Sequence, residues 1–198
     1  MDPVDVAFAF PKNEEGRNIS EKVSEFIKKA KMDGTMDTIA DAWFHDNRKN
    51  QVTDVKSLTG ERGVLDLAAG CGCPPFCFVR DDETVGFDID LLIRFCREYG
   101  YRLNIHNMDL DAVIPSLQNM CNIAAGGISI TDGKNESLLF CEPYCQAENV
   151  VVVRKNNEVN AGMGFSSLVS SFEKSFVKEG RWKLILKGIS TTIFISVF

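Results

Sequence analysis

Three observations predict an α/β fold with a mostly parallel sheet flanked by helices. From Val64 onward, runs with the period of a strand alternate with runs of helical period, the rhythm produced by parallel strands joined through helices. The helical runs stop at Gly34 and Gly100, where a helix commonly ends. A chain of 198 residues that is 44% hydrophobic can bury one sizeable core. Its formal net charge of -6 offers no counter-charge to a phosphate backbone, so no nucleic acid partner is expected.

The amino-terminal third supplies one strand and two helices. Val4 to Phe10 alternates, ends at Pro11 and reads as a single strand. Ile19, Val23, Phe26, Ile27 and Ala30 then share one face of a helix that stops at Gly34. Thr35 is placed to cap a second helix, with Met36, Ile39, Ala40 and Trp43 on its inner face. The segment from His45 to Gly63 is polar, lacks a sustained period and reads as a linker or long loop.

A second α/β unit opens at Val64 with a strand to Ala69. The following Pro74-Pro75 is expected to continue as extended chain, because a proline keeps the residue before it out of the helical region. Phe76 to Val79 and Thr84 to Gly86 form a short hairpin around Arg-Asp-Asp-Glu. Asp88 caps a helix with Leu91, Leu92, Phe95, Cys96 and Tyr99 inward. Tyr101, Leu103 and Ile105 alternate as the next strand, Asp111 to Gln118 is a short helix, and Ile123 to Ile130 and Val150 to Val153 are further strands.

Seven cysteines, an odd number, do not make a fully paired disulfide framework. Cys71, Cys73 and Cys77 are the tightest cluster, but zinc sites usually add a second cysteine pair or histidines, and the chain has two separated histidines, His45 and His106. No metal is expected, and Cys141 and Cys145 around Glu-Pro-Tyr leave a disulfide open. The amino end, MDPVDVAFAF, has neither the basic region nor the cleavage site of a signal peptide. The carboxyl end, ISTTIFISVF, is apolar or hydroxylic but shorter than the ~20 residues of a bilayer span. It reads as a core strand or as the start of a membrane helix. Arg181, Trp182, Lys183 and Lys187 before it favour the helix, as an aromatic and basic interfacial anchor.

Val64 to Gly72, VLDLAAGCG, together with VGFDID, where Asp88 could bind a ribose, raises an S-adenosylmethionine-dependent methyltransferase as an alternative. In such folds the glycines lead directly into a helix whose free N–H groups face the ligand. Here a double proline and a hairpin intervene, which breaks the βαβ order. No nucleophile, base and orienting group can be assembled elsewhere, so neither an enzyme nor a catalytic residue is expected, and no cofactor.

PPFCFVRDDETVGFDIDLLIRFCREYGYRLNIHNMDLDAVIPSLQ, then AAGGISIT and CEPYCQAENVVVVRK, resemble the first lobe of bacterial amino-acid solute-binding proteins, the extracytoplasmic receptors of ABC importers. The match runs from Val64 to Lys155 with every motif in order. KMDGTMDTIADAWF is similar to the ending of another such protein, and SSFEKSFVKEGRWKLILKG to the joint between a binding domain and a fused permease. The resemblance implies a periplasmic-binding-protein-like (type II) single lobe in permuted order. Residues 1–44 are then the tail of a preceding module, 45–62 a linker, 63–155 the first lobe, 156–183 a helical joint and 184–198 the start of a truncated transmembrane helix.

It also implies partners: an amino acid ligand, an ABC permease with its ATPase subunit, and the cell membrane through the carboxyl-terminal segment, with the lobe on the periplasmic side. Such proteins trap ligand by closing two lobes about it, so one lobe is expected to bind weakly or not at all, down to a non-binding structural remnant. The family's ligand contacts fall on Gly127, Ser129 and Thr131. Its carboxylate-binding arginine falls on Lys134, which lacks the two-pronged fork. The ammonium-binding acid falls on Gly70, and the two stacking aromatics fall on Cys73 and Leu110. Each has a plainer reading: Ser129 and Thr131 as the outer side of a strand, Lys134 as a surface charge, Asp88 and Asp90 as cap and dipole partner, His106 as a strand-edge residue.

Overall fold

A computed structural model describes residues 3–45 and 47–147. The predicted strand at Val150 to Val153, the joint at 156–183 and the apolar carboxyl end lie outside the described residues. Among the described residues no helix is long and apolar enough to cross a membrane.

The amino-terminal strand is divided in two. β1 (Val4–Val6) pairs antiparallel with β9 (Cys145–Ala147), while β2 (Ala9–Pro11) enters the central sheet. Between them the Ala7 N–H donates to Ile128 O and Phe8 O accepts from the Cys141 N–H, so the backbone changes partners within two residues. Alternation along Val4 to Phe10 reports only which residues are apolar and cannot register that exchange.

α1 (Glu14–Met32) is capped by Asn13, whose side chain accepts the Gly16 N–H at 2.7 Å, and carries Glu14 and Glu15 in its positive first turn. It buries Ile19, Val23, Phe26, Ile27 and Ala30. α2 (Thr35–Phe44) begins differently from expectation. Gly34, at φ 80°, is its N-cap, and Thr35 is already helical, its N–H held by Asp33 Oδ1 at 2.9 Å. Ala42 takes the inner position expected of Ala40, which is half-buried.

The central sheet has the order β6 (Arg102–Met108), β3 (Val64–Gly70), β7 (Ile123–Ala125), β2, β8 (Leu138–Phe140). β6, β3 and β7 run parallel, with Leu67 opposite Ile105 on one side and Ile123 on the other. β2 runs against its neighbours β7 and β8, so four of the five strands share one direction. Leu65, Leu67, Ala68 and Ala69 are all buried, as befits a strand covered on both faces.

Beyond β3 the chain turns tightly at Cys71–Cys77 and does not run extended: the N–H groups of Phe76 and Cys77 both reach Cys73 O. Backbone bonds to a single carbonyl close the corner, which the proline rule alone does not capture. β4 (Phe78–Arg80) and β5 (Glu83–Val85) form a hairpin whose two-residue loop, Asp81 and Asp82, has φ 52° and 63°, the left-handed geometry that matches strand twist.

α3 (Phe87–Tyr99) follows, ended by Gly100 at φ 73°. Its N-cap is Gly86 and not Asp88, and both Asp88 and Asp90 are fully buried. α4 (Leu110–Ser116) is shorter than the predicted Asp111 to Gln118. β7 stops at Ala125, five residues before the predicted end, because Gly126 and Gly127 take φ 129° and 67° and turn the chain.

The segment after α2 is irregular but packed: Leu58 is buried, and Val52 and Val55 lie against the core. Asp90 ties it down. Its Oδ2 accepts the Trp43 Nε1–H at 2.9 Å and the Val52 N–H at 2.8 Å, and its Oδ1 accepts Arg94 Nε–H at 2.6 Å. Asp90→Ala leaves these three donors without their acceptor and is expected to cost about 3 kcal/mol. Urea unfolding followed by tryptophan fluorescence reads the loss directly, and an unchanged midpoint contradicts the role given to Asp90.

Candidate functional site

A cavity of 390 Å³ opens between α4 and the turn after β7, lined by Leu110, Asp111, Val113, Ile114, Gly127, Ile128, Ser129 and Lys134. Of the residues singled out in the sequence, Gly127, Ser129, Lys134 and Leu110 therefore meet at one place. Gly70 lies buried beneath: a Cβ there would stand 2.9 Å from Leu110 Cδ1. Cys73 is exposed, with its Sγ 3.6 Å from where a Gly127 Cβ would stand. Thr131 is exposed outside the cavity lining, as the N-cap of α5 (Asp132–Asn135), and its carbonyl accepts the N–H groups of Lys134 and Asn135.

Lys134 is not a free surface charge. It is half-buried, and its Nζ donates to Ser129 O at 3.1 Å. That bond uses one of three ammonium hydrogens and aims the charge at the cavity turn. Asp111, on the α4 side of the cavity, is a carboxylate that motif matching passed over, because the family pattern places its acid at Gly70. The helical position of Asp111, one residue into α4, was the available signal.

The turn itself is held from behind. Asp88 Oδ2 accepts the N–H groups of Gly126 and Gly127, each at 2.9 Å. A Cβ on Gly126 would lie 2.7 Å from Gly70 O, and one on Gly127 3.2 Å from Phe76 Cδ2, so both glycines serve close approach as well as positive φ. Burial pushes the Asp88 carboxyl up to about 6, against the two glycine N–H donors, which pull it down. Asp88 Oδ1 and the Tyr144 hydroxyl are buried side by side without well-formed hydrogen-bond geometry, and the hydroxyl adds a smaller downward pull on the Asp88 carboxyl. The sequence reading of Asp88 as a cap missed this, since its partners are 38 and 39 residues away.

On the edge strand β6, His106 Nε2 stands 2.8 Å from Asp66 Oδ1, which also accepts from Asn104 Nδ2 at 2.7 Å. The His106 hydrogen bond holds the Asp66 carboxyl below its usual value. Among the described residues, no group of three or more His, Cys, Asp or Glu side chains is placed to hold a metal ion. The glycine-rich turn after β3 leads into the β4–β5 hairpin and presents no helix N-terminus.

The family model described as bacterial extracellular solute-binding proteins, family 3, matches residues 65–190. The chain belongs to this family. A probable histidine-binding protein of Campylobacter jejuni is 31% identical over 113 residues, covering 56% of this chain and 44% of the relative. The ABC transporter arginine-binding protein 1 of Escherichia coli K12 is 32% identical over 94 residues, covering 46% and 39%. The solved arginine-bound domain 1 of TmArgBP is 33% identical, covers 43% of this chain and 66% of that one, and superposes with a TM-score of 0.36. The chain spans less than half the length of the curated relatives it matches. The family and these relatives are binding proteins.

Two outcomes follow from the turn. Gly126→Ala is expected to cost about 2 kcal/mol or more and Gly127→Ala nearer 1 kcal/mol, because the first meets a backbone oxygen and the second a ring edge. Chemical unfolding of both variants checks the order. Asp88 has a raised folded-state value, so its contribution is fully present below the unfolded value of 3.8 and is lost as pH rises through about 6. Asp66, with a depressed value, acts in the opposite sense, losing its contribution as pH falls below 3.8. The melting temperature of wild type minus that of Asp88→Asn should therefore fall between pH 4 and pH 6.5, and a flat difference contradicts the buried carboxyl.

Proposed function

We propose that this chain is the ligand-binding lobe of an ABC-type amino-acid import system, held on the extracytoplasmic side of the cell membrane and taking a charged amino acid weakly. The observation that carries the reading is the cavity lined by both Lys134 and Asp111 together with the Gly127–Ser129 turn. Lys134 meets the ligand carboxylate together with the Ser129 hydroxyl and the backbone of the turn, and Gly127 lets the backbone approach. Asp111 meets a cationic group, the role that Gly70 has lost. Leu110 and Cys73 cover the ligand where aromatic rings are expected, and Thr131 fixes the start of α5 behind Lys134.

The arginine- and histidine-binding names of the relatives support a basic amino acid. Lysine in place of a forked guanidinium supports weak affinity. Residues 1–44 are, on this reading, the tail of a preceding module that completes this lobe in permuted order, 156–183 the joint with the permease and 184–198 the start of its first membrane helix. The permease and its ATPase subunit are the protein partners. A silent lobe is the second reading, favoured by Leu110 lying directly over the glycine that stands in place of an acid.

A thermal-shift and calorimetric screen of the full chain against the twenty amino acids and S-adenosylmethionine tests this. Arginine, lysine or histidine should raise the melting temperature at millimolar concentration, following RT ln(1 + [L]/Kd). Lys134→Ala should weaken every ligand about tenfold, and Asp111→Ala should weaken basic ligands about tenfold more than neutral ones. No shift with any amino acid selects the silent lobe, and a shift with S-adenosylmethionine alone overturns the family function.

A further inference from the structure

The corner between β3 and β4 contains three cysteines that the binding site does not fully use. Cys71 is half-buried, Cys73 is exposed and Cys77 is fully buried. The Sγ atoms of Cys71 and Cys77 are 2.8 Å apart, well inside the ordinary separation of two non-bonded sulfurs. The backbone holds them there: Cys77 O accepts the N–H groups of Gly72 at 3.2 Å and Cys73 at 3.1 Å, and the Cys77 N–H returns to Cys73 O at 3.2 Å. A bonded pair sits at about 2.05 Å, so closing the bond needs a movement of less than about 1 Å.

We propose that Cys71 and Cys77 form a disulfide in an oxidising milieu, leaving Cys73 as a free thiol. The neighbouring Cys77 holds the Cys71 thiol below its usual value, whereas Cys71 and burial push Cys77 up, so Cys71 is the better first nucleophile. The oxidant is a small disulfide such as oxidised glutathione or the disulfide of an oxidoreductase. The Cys71 thiolate attacks one of its sulfurs, forming a mixed disulfide and releasing one thiolate, which takes up the proton Cys71 has lost. The Cys77 sulfur then attacks Cys71 Sγ and expels the second thiolate, which takes the proton of Cys77. Two protein thiols are oxidised by two electrons, and one disulfide is reduced to two thiols.

The ring so closed contains Pro74, Pro75 and Phe76. Pro75 O and Phe76 O accept the first two N–H groups of α3, those of Phe87 at 2.9 Å and Asp88 at 3.0 Å. Phe76 also packs under Gly127. A covalent closure of this corner therefore stiffens the support of both α3 and the ligand turn.

The test is to treat the full chain with oxidised glutathione, alkylate the remaining thiols under denaturing conditions and map the tryptic peptides. Cys71, Cys73 and Cys77 fall on one peptide, Gly63 to Arg80. The expected peptide carries a single alkyl group, on Cys73, and is lighter by two hydrogens than its otherwise identical reduced form. Alkylation at all three positions, or a bond that includes Cys73, overturns the proposal. Cys73→Ser should retain the bond and melt about 5 °C higher oxidised than reduced, whereas Cys71→Ser should show no such difference. The peptide mass decides the matter even where Cys71→Ser folds poorly, and it does not depend on whether any amino acid binds.

Discussion

Asp88 stands in the first turn of α3 without solvent exposure, and one oxygen of its carboxylate takes the N–H groups of both Gly126 and Gly127. Removing a carboxylate from water is costly, and the positive end of α3 and the two amide donors offset only part of that cost, so the carboxyl stays raised. Three segments far apart in the chain are thereby set in one arrangement. The corner at Pro75 and Phe76 positions the start of α3 through its carbonyls, α3 positions Asp88, and Asp88 positions the turn that lines the cavity. The glycines complete the constraint, because a side chain on either would push the turn off the carboxylate.

A second buried carboxylate does comparable work at the other side of the same helix. Asp90 gathers the Trp43 indole, the Val52 amide and the Arg94 guanidinium, and so joins α2, the irregular segment after it and α3. Arg80 adds to the node by lying 5.3 Å from the centre of the Trp43 ring. The amino-terminal segment is integral to this lobe: β2 occupies the position between β7 and β8, and the Phe8 ring packs 4.8 Å from that of Tyr144.

The cavity is lined by an ammonium, that of Lys134, and not by a guanidinium. An arginine recognises a carboxylate by shape as well as charge, whereas a lysine acts as a point charge whose direction is set by whatever else it bonds. Here Ser129 O sets that direction. Asp111, in the first turn of α4, lines the same cavity.

Much of this architecture was legible in the sequence, and for a physical reason. Helical spacing named the buried face of α1 correctly, residue by residue, because a helix repeats its environment every few residues. The ordered string of motifs from Val64 to Lys155 likewise carried the family, and with it the convergence of Gly127, Ser129, Lys134 and Leu110 on one cavity. What the sequence could not carry was any choice of distant partner. Val4 to Phe10 alternates as one strand yet serves two sheets, Asp88 looks like a cap yet clamps a turn 38 residues away, and Cys71 chooses Cys77 over the nearer Cys73. Local pattern specifies which faces are apolar and where backbone can turn. Which hydrogen-bonding groups meet is decided only when packing brings remote segments together and most buried donors and acceptors find a partner.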